Sequence, residues 1–441
     1  MNNYLNPTSF KLMLSNRDQY EFASFCLNDL IPEDHKARMI WDFVSEMDLS
    51  ICFGDISSFY GARGRPCTDP KIMLSLWLYS ILDGNTSARK LEELCQNHDV
   101  YKWICGGVSV NRTTLAEFRS INPRKFDDLL VQCLAVMVKN DLISDSDFSQ
   151  DGTRVKGNAG SASFHREDTL KDIETKLTNH IDQLKTEQKK TPNTYDKKKI
   201  IEQKKHLDEK RNRVKAALRE LDAARCQKQE NAKQNHHRIS KEELNDVRAS
   251  VTDPEIRKMK MGDGGFRLAY NVQFATGLDS RVIYAVDVVN TLDPGTAPKL
   301  MSKVQESLQK LGLGEIKKWI ADSAYSAKND IITIAQLFPN CFYYAPPKTN
   351  KKIDPKVSVK GDCEIIKKWR SLIDSDEVND LYRKRCSTAE FSNMQVKNRS
   401  LKEFAVRGLA KVLGMAHLHA IAENLERWAD LLKTRSEKEK T

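Results

Sequence analysis

The sequence is poor in the features that mark several large classes of protein. Its 441 residues include only 19 glycines and 13 prolines, which excludes collagen-like and low-complexity chains. The longest nearly uninterrupted apolar run covers residues 72–82, far short of the ~20 residues that a membrane-spanning helix needs. The first residues lack the basic and apolar regions of a secretory signal peptide. We therefore expect a protein of the cytosol, long enough for two to four domains at about 150 residues each.

The ten cysteines also lack the spacing of a metal or redox site. No two of them are separated by two residues, and none has a histidine at the spacing of a zinc ligand. We expect reduced thiols buried in the core. The adjacent pair His236 and His237 has no cysteine nearby, so a metal role is not expected there either.

Positive charge is present but unevenly distributed. The chain carries 71 Lys and Arg against 61 Asp and Glu, a net charge of +10. Residues 166–248 hold 22 of the basic and 16 of the acidic residues, so one-fifth of the chain carries six of the ten excess charges. This segment contains one aromatic residue, Tyr195. It is therefore too poor in large apolar side chains to build a globular core of its own.

The apolar residues of this charged segment follow helical spacing in two stripes: Ile173, Leu177, Ile181 and Leu184, then Leu207, Val214, Leu218 and Leu221. Thr191-Pro192-Asn193 separates the stripes, because proline cannot continue a helix and restricts the residue before it. The pattern predicts an antiparallel helical hairpin. Such a hairpin could be a solvated spacer held by salt bridges, or an arm that lies along nucleic acid. The sequence leaves these two interpretations evenly matched.

Short helices are predicted on the N-terminal side of the arm, over residues 1–125. An apolar segment opens at Asp69-Pro70, two further helices follow, and Gly106-Gly107 makes a turn before a helix beginning near Thr113. This last segment carries Arg112 and Arg119. The pattern suits a helix-turn-helix-like DNA-binding module, but spacing alone favours an ordinary small helical bundle.

Strands and helices alternate on the C-terminal side of the arm. Residues 268–275 and 281–289 flank a turn and predict a β-hairpin. They are followed by a helix over 297–311, a strand over 316–321, a helix over 326–337, a short strand at 341–345 and a helix from 387 to 412 and beyond. This order predicts a mixed α/β fold, with helices covering a mixed sheet.

Three acids stand at predicted element ends: Asp151, Asp322 and Glu390. Each has a structural explanation, because Asp151-Gly152 suits a turn, Asp322 can lead into a helix, and Ser387 with Glu390 fits a capping box. Together they suggest chemistry. Carboxylates that converge from two strands and a covering helix can hold Mg²⁺, and two such ions promote phosphoryl displacement. Arg385 precedes Glu390 and Lys397 follows it at helical spacing, so both could flank the site and contact a phosphodiester.

Several sequence blocks resemble a known family. The N-terminal blocks are Phe59-Tyr60, Gly64-Arg65-Pro66, Asp69-Pro70, TSARKLEELCQNHDVYKWICGG and TTLAEFR. The later blocks are QDGTRVKGNAG, DPEIRKMKMGDGGFRLAYNVQ, ADSAYSAKN and YRKRCSTAEFSNMQVK. In this order, from about residue 55 to 430, they resemble a bacterial insertion-sequence transposase of the DDE class with an InsH-type N-terminal domain.

The resemblance implies a ribonuclease H-like catalytic domain in which Asp151, Asp322 and Glu390 are the catalytic, metal-binding triad. It implies two Mg²⁺ ions, for which Mn²⁺ can substitute. Tyr382, Arg385 and Lys397 would form the family's DNA-binding signature beside the triad. Four residues separate Arg385 from Glu390, where related transposases usually have three. Asp147 is a neighbouring alternative for the first acid, although the Asp-Gly-Thr context favours Asp151.

The resemblance also implies an organisation and a function. Residues 1–125 would bind DNA, with Arg112 and Arg119 as candidate contacts. Residues 126–164 and 251–435 would form the catalytic domain, and residues 165–250 the inserted hairpin, which contacts DNA or a partner subunit. The expected function is metal-dependent cleavage at the ends of an insertion sequence, then strand transfer into target DNA by a homodimer that pairs the ends, in the nucleoid of the cytoplasm. The alternatives are a related nuclease without strand transfer and a catalytically silent DNA-binding protein.

Overall fold

The chain folds as a mixture of helices and strands, as the sequence predicts. The computed structural model describes residues 26–54, 66–120, 122–190, 193–234, 238–348, 354, 357–373 and 375–439. The Phe59-Tyr60 and Gly64-Arg65 motifs and His236-His237 lie outside these ranges. No helix within them has both the length and the apolar character needed to cross a membrane.

In the part of the chain that the structure describes, seven α-helices precede the first strand: α1 (Lys36–Glu46), α2 (Ser50–Phe53), α3 (Pro70–Leu82), α4 (Ala88–Asn97), α5 (Asp99–Cys105), α6 (Arg112–Phe118) and α7 (Pro123–Lys139). Pro70 stands at the start of α3, where its missing N–H is not needed, and the Asp69 side chain caps the helix by accepting from the Lys71 amide. The predicted helix near Thr113 begins at Arg112. The His98 side chain caps α5 by accepting from the Val100 amide.

The remaining elements form the sheet, the arm and the covering helices. The strands are β1 (Asp147–Lys156), β2 (Phe164–His165), β3 (Ala249–Ser250), β4 (Arg257–Lys260), β5 (Phe266–Gly277), β6 (Ile283–Val289), β7 (Lys318–Ile320) and β8 (Phe342–Tyr344). The helices are α8 (Glu167–Lys190), α9 (Thr194–Gln234), α10 (Lys241–Asn245), α11 (Ala297–Leu311), α12 (Lys328–Leu337), α13 (Glu364–Ser371), α14 (Asp376–Asn398) and α15 (Leu409–Glu439).

The main sheet has six strands. Its path runs β4–β5–β1–β7–β8, and β6 also pairs with β5. The pairs β1–β5 and β5–β6 are antiparallel, whereas β1–β7 and β7–β8 are parallel. The predicted hairpin is confirmed as β5 and β6, and the helix predicted over 297–311 is confirmed as α11 with the same bounds.

The predicted long C-terminal helix is wrong in its bounds. The structure has two helices, α14 and α15, separated by residues 399–408. The chain reverses between them at Ser400, which has a left-handed φ of 75°, a conformation that rarely fits inside a right-handed helix. The helix that carries Glu390 also begins at Asp376, eleven residues before the predicted start at Ser387.

The predicted arm is confirmed as the helical pair α8 and α9. Its seam contains Leu170, Leu177, Val214, Ala217 and Leu221, which are buried against one another. The two-stranded pair of β2 and β3 joins the two ends of the segment at its base. The chain therefore leaves the sheet domain and returns to it at the same place.

One continuous hydrophobic cluster extends from the N-terminal helices through the sheet to α15. It includes Trp77 of α3, Phe148 of β1 and Trp428 of α15. The predicted boundary at residue 125 stays a prediction. The expectation that the cysteines lie in the core is wrong in part, because Cys26, Cys67, Cys226 and Cys363 are exposed.

A buried aspartate fixes the turn between β5 and β6. Asp145 accepts hydrogen bonds from the amides of Asp279 (3.2 Å) and Ser280 (3.0 Å) and from the Tyr284 hydroxyl (3.0 Å). Asp145→Ala leaves these donors without an acceptor, and we expect the free energy of unfolding to fall by about 3 kcal/mol. Urea unfolding measures the loss. Asp145→Asn, which keeps an acceptor oxygen, is the control and should lose less than half as much.

Candidate active site

Two neighbouring strands bring Asp151 and Asp322 to the same level. Ser149 of β1 pairs with Ile320 of β7 in parallel register, and each acid lies two residues beyond that pair. The prediction that Asp151 lies at the end of its strand is wrong, because β1 continues to Lys156 and Asp151 lies within it. The chain leaves the sheet after Ile320, and Asp322 starts the next turn by accepting a hydrogen bond from the Ala324 amide (2.8 Å).

The side chain of Arg385 joins the two acids. Its Nη2 atom lies 3.5 Å from Oδ1 of Asp151 and 4.0 Å from Oδ2 of Asp322. The residue is 5% exposed, and its guanidinium lies 5.6 Å from the ring centre of Tyr382. A buried cation between two carboxylates reduces their mutual repulsion. Helix α14, which carries Arg385, therefore completes this part of the site.

The Asp151 carboxylate is held on both of its oxygens. Oδ1 accepts from the Gly152 amide (2.9 Å), and Oδ2 accepts from Nδ2 of Asn393 (2.7 Å). Burial raises the pKa of Asp151; Arg385 and the two hydrogen bonds oppose the rise, while the charge of Asp322 adds to it. An additional positive charge beside this carboxylate would lower its pKa again, because it favours the ionised form.

Glu390 lies near this site but is not joined to it. The residue is exposed in the middle of α14, which Ser375 caps, so the predicted capping box at Ser387 is wrong. No hydrogen bond or ion pair among the described residues links Glu390 to either aspartate. The same residues contain no group of three Asp, Glu, His or Cys side chains arranged to hold a metal. Glu390 precedes Asn393 by one helical turn, and its role as the third ligand stays a prediction.

Lys397 and Tyr382 flank the acids on α14. Partial burial lowers the pKa of Lys397, and the charge of Asp151 opposes this. The ammonium group therefore lies within electrostatic reach of the carboxylate. The Tyr382 ring meets the Tyr344 ring edge-on at 6.3 Å, which fixes the start of α14 against β8.

The two N-terminal arginines differ in their surroundings. Arg112 is exposed at the first turn of α6. Arg119 points inward: its Nη1 donates to the carbonyl of Thr86 (2.9 Å), its guanidinium packs on the Trp77 ring at 5.2 Å, and burial lowers its pKa. Of the two, only Arg112 is free in this structure to meet a phosphate.

A polar network beneath Gly152 supports the acids, and sequence reasoning missed it. Nε2 of Gln273 donates to Oδ1 of Asp293 (3.0 Å), and the Tyr325 hydroxyl donates to Oε1 of Gln273 (2.5 Å). A Cβ atom on Gly152 would lie 2.3 Å from Nε2 of Gln273 and 2.7 Å from Oδ1 of Asp293. Only glycine lets this network approach the backbone beside Asp151 so closely.

Part of this network could have been recognised from the sequence alone. Asn271 and Gln273 are polar residues at alternate positions of an otherwise apolar strand, so they face the same side of the sheet. Asp293 and Asn393 gave no such signal. Asp293 precedes a proline and looks like a turn residue, and Asn393 lies among the polar residues of α14.

The donors at this site suit a hard cation. Two carboxylates at one level, close to solvent, match the way proteins hold Mg²⁺, through one or two carboxylates plus water and phosphate oxygens. Among the described residues, Nε of Arg385 and Oδ1 of Asn393 are buried without a hydrogen-bond partner. Native structures leave few such atoms unpaired, so their position beside Asp151 favours a site that takes up a polar ligand.

Comparisons with known proteins bear on this geometry. Residues 25–120 match a family described as Transposase domain (DUF772), and residues 337–429 match one described as Transposase DDE domain. Both matches support an insertion-sequence DDE transposase as the family of this chain. No curated protein and no solved structure matches it.

The DDE-domain match covers only part of the transposase site. It includes α14, with Tyr382, Arg385, Glu390 and Lys397, but begins after the strands that carry the two aspartates. The assignment of Asp151 and Asp322 therefore depends on their register in the sheet and on their contact with Arg385. The resemblance predicted from the sequence blocks is confirmed at the level of the family.

Proposed function

We propose that this transposase cleaves DNA at the ends of its insertion sequence and joins the 3′ ends to target DNA. The observation that carries the proposal is the meeting of Asp151, on β1, with Asp322, two residues after the end of the adjacent parallel strand β7, under the helix of the DDE domain. In this reading Asp151, Asp322 and Glu390 are the catalytic acids. A homodimer would pair the two ends.

The residues of the site have different roles in the proposed reaction. Asp151 and Asp322 present carboxylate oxygens to Mg²⁺ or Mn²⁺, and Glu390 adds a third from the exposed face of α14. Two such ions, when bound there, would supply the Lewis acidity that phosphodiester displacement needs. Arg385 keeps the two aspartates together, while Lys397 and Tyr382 contact the phosphates of the cleaved strand.

A groove between the base of the arm and the turn after Asp322 offers a path for that strand. Its volume is about 720 Å³, and its lining includes Lys228 at the base of the arm, Arg257 of β4, Lys348 and Ser326. Ser326 ends the turn that Asp322 begins. Cationic side chains along a groove suit a phosphate backbone, and the lining of this groove extends from the base of the arm to the turn that Asp322 begins.

The proposal includes a ribonuclease H-like catalytic core. Its support is the order of the sheet: β6, β5 and β1 are antiparallel neighbours, and β7 and β8 continue from β1 in parallel. Helix α14 covers one face, since Thr388 meets Ser149 (3.1 Å) and Asn393 meets Asp151. Helix α11 packs by its apolar side on the other face.

The direct experiment is a cleavage assay with purified protein. The substrate is a plasmid that carries the gene's own flanking sequences as the two element ends. We expect Mg²⁺-dependent breaks at both ends, followed by joining of the 3′ ends to a second plasmid. Breaks without joining would favour the nuclease alternative, and DNA binding without any break would reject the proposed activity.

The proposed third acid makes a separate prediction. Glu390→Gln removes a charge from an exposed position in the middle of a helix, so we expect a Tm within about 1 °C of the wild type. Cleavage should fall by about 10²-fold or more, because one ligand of the cation is lost. The cleavage assay checks this. Glu403→Gln, at another exposed acid, is the matched control, and equal activity of the two variants would remove Glu390 from the triad.

A catalytically silent DNA-binding protein is the second candidate. The observation that favours it is the separation of Glu390 from the two aspartates. The cleavage assay decides between these candidates.

A further inference from the structure

The positive charge of the arm is concentrated at its tip. Residues 185–205, which contain the end of α8 and the start of α9, hold eight lysines and three acids. The rest of the segment 166–248 holds 14 basic and 13 acidic residues. Five of the six excess charges of the arm therefore lie in these 21 residues, which we call the arm tip.

The lysines of the arm tip are not used to hold the arm together. Lys185 pairs with Asp182. None of the other seven lies within 4 Å of a carboxylate of the described residues: Lys189, Lys190, Lys197, Lys198, Lys199, Lys204 and Lys205. The shaft of the arm differs, because ion pairs such as Arg225–Glu167 and Lys215–Glu174 join its two helices. A role as a spacer held by salt bridges explains the shaft but not the tip.

The arm tip also carries features that cost stability. Lys197, Lys198 and Lys199 lie at the beginning of α9, where positive charge opposes the helix dipole. The buried seam of α8 ends at Leu184, and beyond it Tyr195 is 75% and Ile201 50% exposed. Like charges are thus gathered where neither packing nor pairing compensates for them. Such an arrangement attracts a partner of opposite charge.

We propose that the arm tip binds the phosphate backbone of double-stranded DNA. A dense group of lysines without carboxylate partners among the described residues suits the displacement of counterions from a duplex, and the exposed hydroxyl of Tyr195 can add a hydrogen bond to a phosphate. Helix α8 has 24 residues, which is ~36 Å at 1.5 Å per residue. The tip would therefore hold DNA about ten base pairs away from the base of the arm, at 3.4 Å per base pair. The inference deepens the proposed function by naming a second contact with its substrate.

Two variants of equal charge test this inference. The tip variant replaces Lys189, Lys190, Lys198 and Lys199 by Gln. The control variant replaces Lys176 and Lys210, on the shaft of the arm, and Lys433 and Lys438, on α15, by Gln. All eight side chains are exposed, and each variant loses four positive charges. Binding to a fluorescent duplex of about 40 base pairs, long enough to reach the tip, is measured by anisotropy in EDTA over a range of salt concentrations.

At a salt concentration of ~0.1 M, we expect the tip variant to bind the duplex at least tenfold more weakly than the wild type. Its slope of log affinity against log salt should fall by about three to four, because each phosphate contact contributes about 0.9. The control variant should lose about one unit of slope or less. Equal slopes for wild type and tip variant would overturn the inference. So would a change in oligomeric state without a change in DNA affinity, which would make the tip a protein contact.

The same proteins separate this inference from the proposed function. If the tip variant cleaves element ends at saturating protein but binds more weakly, both hold. If the wild type binds through the tip and cuts nothing, only the proposed function fails. If the tip variant binds and cuts as the wild type does, only the inference fails.

Discussion

Asp322→Asn is expected to lower the rate of Mg²⁺-dependent DNA cleavage by a factor on the order of 10³ or more. The same loss is expected for Asp151→Asn, because both carboxylates lie at one level and would hold the same cation. DNA binding in EDTA should change by less than about twofold, since neither acid attracts phosphate. The measurement is the initial rate of cleavage with Mg²⁺, with protein held above its dissociation constant.

Both substitutions should leave the fold intact, so that lost cleavage reports on chemistry. Asparagine is as good a cap as aspartate, and at position 322 it can still accept from the Ala324 amide. At position 151 the new amide would face Nδ2 of Asn393. The Oδ1 atom of Asn393 is buried without a partner, so a flip of that side chain restores the hydrogen bond.

Asp147→Asn is the matched control for the first acid. Asp147 lies four residues before Asp151 on the same strand, and its carboxylate lies 3.6 Å from the ammonium of Lys318. An ion pair of this kind contributes little to stability. Asp147→Asn should retain cleavage within about threefold, as expected when only such a pair is lost. Loss of cleavage in this control, with activity kept in Asp151→Asn, would move the first acid to Asp147.

Arg385→Met is expected to lower cleavage at neutral pH by roughly tenfold, which corresponds to ~1.4 kcal/mol. Methionine keeps part of the buried volume, but it removes the positive charge between the two aspartates. Burial and Asp322 already raise the pKa of Asp151, and Arg385 is the first of the groups that oppose the rise. Without it the pKa of Asp151 rises further, so the protonated form of Asp151 persists to higher pH.

The same argument predicts the direction in which the pH dependence of cleavage changes in this variant. Cation binding needs the ionised form of Asp151, so cleavage is lost as pH falls through its pKa. In Arg385→Met this loss should begin at higher pH than in the wild type, and raising pH or the Mg²⁺ concentration should restore part of the rate. Neither change should rescue Asp151→Asn. If the pH profile of the variant has the same shape as that of the wild type, whatever its absolute rate, Arg385 acts on DNA and not on the acids.

Much of this fold could be predicted from sequence because local patterns agree with tertiary packing. The helix over 297–311 has one apolar side, and residues 268–275 and 281–289 flank a turn, so hydrophobic spacing alone identified them. The arm followed from its two stripes and Pro192. These elements bury apolar residues with the period of their own secondary structure.

Helix α14 could not be predicted in the same way, for a physical reason. It covers the sheet with polar side chains, among them Arg385, Thr388 and Ser392, which are buried. Hydrophobic periodicity therefore predicted that the helix starts at Ser387, where the local sequence also happens to fit a capping box. The contact of Arg385 with both aspartates depends on the register of β1 and β7, which no local pattern carries. Only the resemblance to transposases placed these residues in one site.

The central claim is that Asp151 and Asp322 together hold the divalent cation of this transposase. Its most direct test is Mn²⁺ binding measured by electron paramagnetic resonance, with wild type, Asp151→Asn, Asp322→Asn and Asp147→Asn compared in the presence of DNA. The claim predicts that wild type and Asp147→Asn bind Mn²⁺ alike, and that each of the other two variants binds at least about tenfold more weakly, as expected when a ligand is lost. Equal Mn²⁺ binding by all four proteins would contradict it.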